Sequence, residues 1–339
     1  MISYLQAIVI GLLQGVTELF PVSSLGHSVL LPAWLGWHSI VGQQSAEESP
    51  YLAFLVGLHV ATAMALLVFF RAEWVRIVRG LWRSLARRKI DTADADARLG
   101  WLLVVATIPA GLVGVVFEHA LRTLFAKPLA AAVFLTCNGL VLLAGEGLRR
   151  RAAAAQRLAA RAKMDPERLA VTGQAASQAS QGGQGGGGAT ERPSRAGGAG
   201  RADRSRPRQS RSRELATLGF GEALLIGTAQ ILAFFAGISR SGVTMVAGLS
   251  RGLDHEDAAH FAFLLATPII FAAGVYKLPD LLGPLGNGIR GQVLVGSAVA
   301  AVAAYLSVRF LTRYFTTRTL TPFAVYCLVA GLVSVIRFA

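Results

Sequence analysis

Long apolar runs separated by short polar breaks dominate the chain. Six of them have the length that a lipid bilayer demands: Tyr51–Phe70, Gly100–Glu118, Leu129–Glu146, Phe261–Leu278, Gln292–Thr312 and Pro322–Phe338. A helix rises about 1.5 Å per residue and the hydrocarbon core is roughly 30 Å thick, so about 20 apolar residues make one crossing. Two further apolar stretches stop early, Ser3–Phe20 at Pro21 and Phe220–Phe235 before Gly237. The pieces that follow, near Ser28–Leu35 and Gly242–Arg251, supply only roughly 15 Å of helix each. Neither crosses a bilayer alone. The pattern predicts two re-entrant helical hairpins, 3–36 and 220–251, with tips buried in protein, where broken backbone is tolerated at membrane depth.

The two halves of the chain resemble each other. Sliding the second by 216 positions lays GLLQGVTELFPVSSLGHSVLLPAWLG over GTAQILAFFAGISRSGVTMVAGLSRG, matching Gly11 with Gly227, Gln14 with Gln230, Ser23 with Ser239, Gly26 with Gly242 and Gly36 with Gly252. Further on, LAFLVGLH (52–59) lies over FAFLLATP (261–268). Identities that include both polar centres indicate an internal repeat. Each half then holds one hairpin and three spans. Three is odd, so the second half is expected to be inverted relative to the first. The expected fold is an all-α integral membrane protein of six transmembrane helices plus two re-entrant hairpins in an interlocked inverted repeat, the arrangement of many membrane transporters. The first repeat is 1–149 and the second 214–339. Between them, 150–213 is rich in Gly, Ser and Arg and reads as a disordered linker. Its first part, AAAAQRLAARAKMDPERLA, suits a short amphipathic helix at the membrane surface.

Composition agrees with a membrane protein, at 53% hydrophobic and only 15% charged residues, where soluble domains carry about 25% charged. The net charge of +14 is concentrated: residues 149–213 contribute +11 and residues 71–98 contribute +4. Basic loops stay in the cytoplasm, and two spans separate these two. Orientation therefore explains the basicity, as it does for Arg309, Arg313 and Arg318. The basic loop 149–213 lacks the aromatic residues of a single-strand binder, so no nucleic-acid partner is expected. The opening MISYLQAIVIGLLQG has no positive n-region and no small-residue cleavage site, and reads as a membrane segment and not a cleaved leader. Cys137 and Cys327 lie in separate spans and read as buried free thiols.

Chemistry concentrates at the two polar tips. In QGVTELFPVSSLGHS, Ser23, Ser24 and Gly26 open a short helix, whose start suits an anion. GISRSGVT places Ser239, Arg240, Ser241, Gly242 and Thr244 in the same setting. Arg240 points to phosphate: its guanidinium keeps its charge and forks onto phosphate oxygens. Burying it costs a few kcal/mol, so an anionic partner is expected. Glu18 follows Gln14 by four residues, on one helix face, a face able to hold a divalent cation through carboxylate and amide oxygens. A structural pair of Glu18 with an Arg or His is the alternative. His27, with an ordinary pKa near 6.5, suits a nucleophile or a general acid or base. Ser24 competes as nucleophile, a hydroxyl beside an imidazole. His59 and Gln230 fall near the tips by the repeat register. Glu146, Glu222, His38, His255 and His260 are expected to be solvated.

With these residues in view, QGVTELFPVSSLGH resembles the first signature of the bacterial undecaprenyl-diphosphate phosphatase (bacitracin-resistance) family, and AGISRSGVT is similar to its second, PG-x-SRSG-x-T. The likeness covers both halves and spares the insert. It implies an integral-membrane hydrolase that removes the terminal phosphate of a C55 polyprenyl diphosphate, depends on Mg2+ or Ca2+, and faces the periplasm from the inner membrane. By residue, it implies metal and pyrophosphate binding at Gln14 and Glu18, catalysis by His27 with Ser24, and diphosphate clamping by Ser239, Arg240, Ser241 and Thr244. Two positions depart from the pattern: Gln14 stands where many members have a second glutamate, and Ala236 replaces the proline before Gly237. The other membrane phosphatase class, with K-x6-RP and SR-x5-H signatures, does not fit, since Val246 stands where its histidine belongs. A transporter or flippase for a phosphorylated polyprenyl lipid is the alternative function. Homodimerisation is left open.

Overall fold

Six helices of the computed structural model are long and apolar enough to cross a membrane, and they coincide with the six apolar runs. The structure describes residues 2–37, 40, 49–91, 94–125, 127–181, 215, 217–283 and 287–339. Among these all the regular structure is helical. In chain order the helices are α1 (Tyr4–Thr17), α2 (Ser24–Trp34), α3 (Pro50–Phe69), α4 (Arg71–Arg87), α5 (Ala95–Phe125), α6 (Pro128–Gln181), α7 (Phe220–Ala229), α8 (Arg240–Ser250), α9 (His255–Leu282), α10 (Arg290–Tyr314) and α11 (Thr321–Phe338). A 3-10 stretch, Gln230–Phe234, follows α7 directly.

Local chemistry sets these bounds. Ser3 caps α1 by accepting from the Gln6 N–H while the Gln6 side chain accepts from the Ser3 N–H, a reciprocal cap that satisfies two otherwise orphaned donors. Asp94 starts α5 five residues before its apolar run by accepting from the Ala97 N–H at 3.0 Å. α4 was visible in the sequence only as charge. Its buried positions Ile77, Gly80 and Ser84 recur every three or four residues, the spacing of one helix face, and its arginines occupy the rest. The stretch expected as a short helix is helical as far as Gln181. Ala, Arg, Gln and Lys, which fill much of it, are strong helix formers.

Two compact units result, Met1–Gly147 with Arg211–Ala339, and Leu148–Ser210. In the first, helices approach through small residues, as membrane helices do for want of a hydrophobic driving force. A Cβ on Gly11 of α1 would lie 2.4 Å from the Gly296 carbonyl oxygen of α10, and one on Gly227 of α7 would lie 2.0 Å from the Ala106 carbonyl oxygen of α5. The outward side chains are apolar, with Val115, Leu294 and Ile336 all largely exposed, as a lipid-facing surface requires.

The expectation that the remaining acids and histidines are solvated is overturned in part. His255 and Glu146 are both buried and pair at 2.8 Å. Buried ionisable groups inside membrane proteins usually have such a partner. His260 pairs with Glu73 of α4 at 2.9 Å. Glu222 accepts from the Gly219 N–H at 2.8 Å. His38 lies outside the described residues. Cys327 is buried and Cys137 half-buried, both as free thiols.

Candidate functional site

The two breaks in the apolar pattern meet. Residues 18–23 separate α1 from α2, and Ser23, the last of them, has φ of +71°. That conformation is uncommon for a residue with a side chain. The Ser23 hydroxyl holds it, accepting from the Gly26 N–H and from the Gly237 N–H, both at 3.2 Å. The second of these lies in the other break, 214 residues away. Asn138 of α6 makes another bridge. Its Nδ2 donates to the Pro21 carbonyl and its Oδ1 accepts from the Ser239 N–H, each at 3.0 Å. Ser241 donates to the Phe20 carbonyl at 3.3 Å.

The close approach depends on missing side chains. A Cβ on Gly26 would stand 2.7 Å from the Gly237 Cα, and one on Gly237, at φ +117°, would stand 2.5 Å from the Ala131 carbonyl oxygen. Gly242, the counterpart of Gly26, donates to the Ser239 hydroxyl at 3.1 Å. The Gly26 and Gly242 amides are thus taken up by helix caps. What these two glycines supply to the site is proximity.

Glu18 is the centre of this junction. It lies just past the last turn of α1 and is buried. Its Oε2 accepts from Gln14 Nε2 at 2.9 Å and from the Ser24 hydroxyl, with His59 Nε2 at 3.4 Å. Its Oε1 faces Arg240 Nη1 at 3.7 Å. At an effective dielectric near 20, a pair at that distance attracts by about 4 kcal/mol before desolvation. Burial costs an arginine a few kcal/mol, and Glu18 offsets part of that for a side chain that stays partly exposed. Even so, Arg240 Nη1 is buried without a hydrogen bond.

The other expected residues divide. Ser24, Gln14, Ser23, Ser239, Ser241 and Arg240 gather at the junction with Glu18. Thr244 turns its hydroxyl to its own helix, donating to the Arg240 carbonyl at 2.8 Å. His27 makes its hydrogen bonds elsewhere: Nδ1 sits 2.7 Å from the Ser23 carbonyl oxygen and Nε2 2.7 Å from the Tyr326 hydroxyl. The hydroxyl of Ser24 therefore has a carboxylate as its partner, not the imidazole. Asn138 and Tyr326 were missed in the sequence. An amide within an apolar span was signal enough for Asn138, whereas a tyrosine in α11 gave none.

The family profile described as "Bacitracin resistance protein BacA" matches residues 7–190 and 197–333, nearly the whole chain. The chain belongs to the BacA family. Among relatives, "Undecaprenyl-diphosphatase 2" of Frankia alni is 56% identical over all of this chain and 98% of its own length. "Undecaprenyl-diphosphatase" of Mycolicibacterium paratuberculosis is 53% identical over 100% of this chain and 98% of its own length. "Undecaprenyl-diphosphatase 2" of Chromobacterium violaceum is 39% identical over 98% of each chain. The likeness is spread along the full length, so the BacA signatures sit in a BacA chain throughout.

Proposed function

We infer that this BacA-family chain is an undecaprenyl-diphosphatase, an integral-membrane hydrolase that converts undecaprenyl diphosphate to undecaprenyl phosphate and inorganic phosphate. That recycles the lipid carrier of cell-wall polymers and accounts for bacitracin resistance. The observation that carries the mechanism is the contact of the Ser24 hydroxyl with Glu18, opposite an arginine whose Nη1 lacks a hydrogen bond.

Arg240, with Ser239 and Ser241 beside it, grips the terminal phosphate, and the prenyl tail stays in lipid. Ser24 Oγ attacks the terminal phosphorus while Glu18 takes its proton. The bond to the bridging oxygen breaks, and undecaprenyl phosphate leaves with that electron pair. Glu18 gives the Ser24 proton to the departing undecaprenyl phosphate. It then takes one from the water that attacks the Ser24 phosphoester and passes it to Ser24 Oγ as that bond breaks and inorganic phosphate is released. Arg240 acts on the charge of the phosphoryl oxygens throughout, where positioned cations lower the barrier most.

A divalent cation, Mg2+ or Ca2+, suits the donors present. Among the described residues no group of three or more His, Cys, Asp or Glu side chains is placed to hold a metal, but Mg2+ takes as little as one or two carboxylates plus substrate phosphates. Glu18, and Gln14 with its amide turned oxygen-first, are hard oxygen donors of that kind. An ion held by Glu18 and Gln14 would supply positive charge against the diphosphate.

We read the two breaks as re-entrant hairpins of an inverted repeat, with the site open to the periplasm and 150–213 in the cytoplasm. Support comes from matched positions doing matched work. Gly11 and Gly227 each press on a partner helix backbone, Ser23 and Ser239 each cap the next helix, and Gln14 and Gln230 are both buried.

The test is phosphate release from a long-chain polyprenyl diphosphate by the purified protein with Mg2+. Wild type should release phosphate and Arg240→Ala should be at least about a hundredfold slower; an inactive wild type overturns the reading.

A further inference from the structure

α2 and α11 run in the same direction, and two side-chain hydrogen bonds tie them at matching intervals. His27 meets Tyr326, and Trp34 Nε1 donates to Ser334 Oγ at 3.0 Å. Seven residues of α2 correspond to roughly 10.5 Å of helix and eight of α11 to roughly 12 Å, so the two bonds fix one register. The C-terminal end is clamped further, with Phe338 edge-on to Trp34 at 5.7 Å between centroids and the Arg337 guanidinium 6.0 Å from the same ring.

That register brings the phenol of Tyr326 beside the imidazole of His27, the rings near-parallel with centroids 5.7 Å apart and planes 11° apart. The hydrogen bonds then fix the ring's proton. A carbonyl oxygen only accepts, so the short contact with the Ser23 carbonyl requires Nδ1 to carry hydrogen. In the neutral ring, Nε2 must then accept, and the Tyr326 hydroxyl donates to it.

We propose that Tyr326 is a positioning residue of the phosphatase site: its hydroxyl holds His27 in the Nδ1–H tautomer and occupies Nε2, which leaves the Ser24 proton to Glu18. The proposal rests on the undecaprenyl-diphosphatase reading for its consequence in catalysis, but its geometry stands without it. Tyr326 makes no contact with Glu18, Ser24 or Arg240 among the interactions described, and acts through His27 alone. With the hydroxyl removed, only the Ser23 carbonyl still holds the imidazole, and the ring can leave it by rotating and moving its proton to Nε2. That carbonyl lies one residue before the attacking serine.

The experiment uses Tyr326→Phe in the full chain, which keeps the stacked ring and deletes the hydroxyl. Turnover of polyprenyl diphosphate should fall by roughly tenfold to a hundredfold, with KM little changed. Nitrogen-15 NMR of the labelled histidines should show a single Nδ1–H tautomer for His27 in wild type and a shift toward the Nε2–H form in the variant. Trp34→Phe, which breaks only the second tie, should leave the tautomer signal intact and so separates a loosened helix pair from a lost donor. Unchanged turnover in Y326F, or an unchanged His27 signal, overturns the proposal. Should wild type release no phosphate, the functional reading fails, and the His27 signal still decides the bond. Should Y326F not fold, wild type decides it: an Nε2–H tautomer there contradicts the assignment.

Discussion

The Ser24 hydroxyl donates to Glu18, six residues earlier in sequence and on the far side of the Pro21 break. A buried carboxylate that already accepts from Gln14 and faces Arg240 is thereby aimed at a single hydroxyl. Glu18→Gln keeps the shape but removes both the base and the arginine's counter-charge. It should lower kcat by at least about a hundredfold, the range of a lost general base, with Michaelis–Menten kinetics as the check. Activity near wild type in E18Q would assign the proton to another group.

Gly26→Ala should separate the two breaks. Its Cβ would meet Gly237 backbone atoms at 2.7 and 2.9 Å, and backbone has no rotamer by which to retreat. The expected cost is about 1–3 kcal/mol of overpacking, read as a lower melting temperature in detergent, together with lost turnover. A wild-type melting temperature would show that the breaks approach less closely than described.

Asn138→Ala leaves the Ser239 N–H and the Pro21 carbonyl without the partner that joins them. An unsatisfied buried group costs about 1–3 kcal/mol, so thermal stability should fall. Asn138→Asp still accepts from Ser239 but as a carboxylate donates nothing to Pro21, so it too should be less stable than wild type. Equal stability of all three would remove the bridge from the account of the site.

Much of this was readable from residue order. The six apolar runs mark six helices because a single segment satisfies its own backbone in hydrocarbon only as a helix. By contrast, α1 stops at Thr17 and the 3-10 stretch at Phe234, earlier than Pro21 and Gly237 had marked. The gathering of Glu18, Ser24 and Arg240 was legible from polar residues placed where lipid forbids idle ones. The partner of Ser24 was not. Glu18 and His27 both lie within reach of a serine in the linear pattern, and only the turn at Ser23 decides that the hydroxyl faces the acid while the imidazole faces α11. Tyr326 was invisible for a related reason: its role depends on the register of two helices about 300 residues apart, which no local pattern encodes. α4 was hidden by its arginines, since charge masked the spacing of Ile77, Gly80 and Ser84.

Chelation should abolish turnover, and Mg2+ or Ca2+ should restore it. With a neutral amide at position 14, Gln14→Glu should lower the metal concentration needed for half-maximal activity, because a second carboxylate strengthens a hard-cation site. Metal titrations of the two proteins check this. A Gln14→Glu curve lying at higher metal concentration would place the ion elsewhere.

At the α4–α5 connection, Arg83 donates to Asp94 at 2.7 Å and holds its carboxyl below the usual carboxylate range. A lowered folded value means the pair stabilises the fold above the ordinary carboxylate pKa of about 3.9, and that this is lost as pH falls through the folded value. The pair is solvent-screened, so its contribution is at most about 1 kcal/mol. Asp94→Asn should therefore lower the melting temperature slightly at pH 7, and by progressively less at acid pH as the pH falls through the lowered folded value. Salt should shrink the difference. An equal loss at neutral and acid pH would assign the effect to the helix cap alone.

Mass spectrometry of the acid-quenched enzyme during turnover of a polyprenyl diphosphate bears most directly on the roles of Ser24 and Glu18. The expected result is an acid-stable phosphate on the peptide that carries Ser24, absent from Ser24→Ala, which should also fail to turn over. Phosphate on His27, or undiminished turnover by Ser24→Ala, would contradict it.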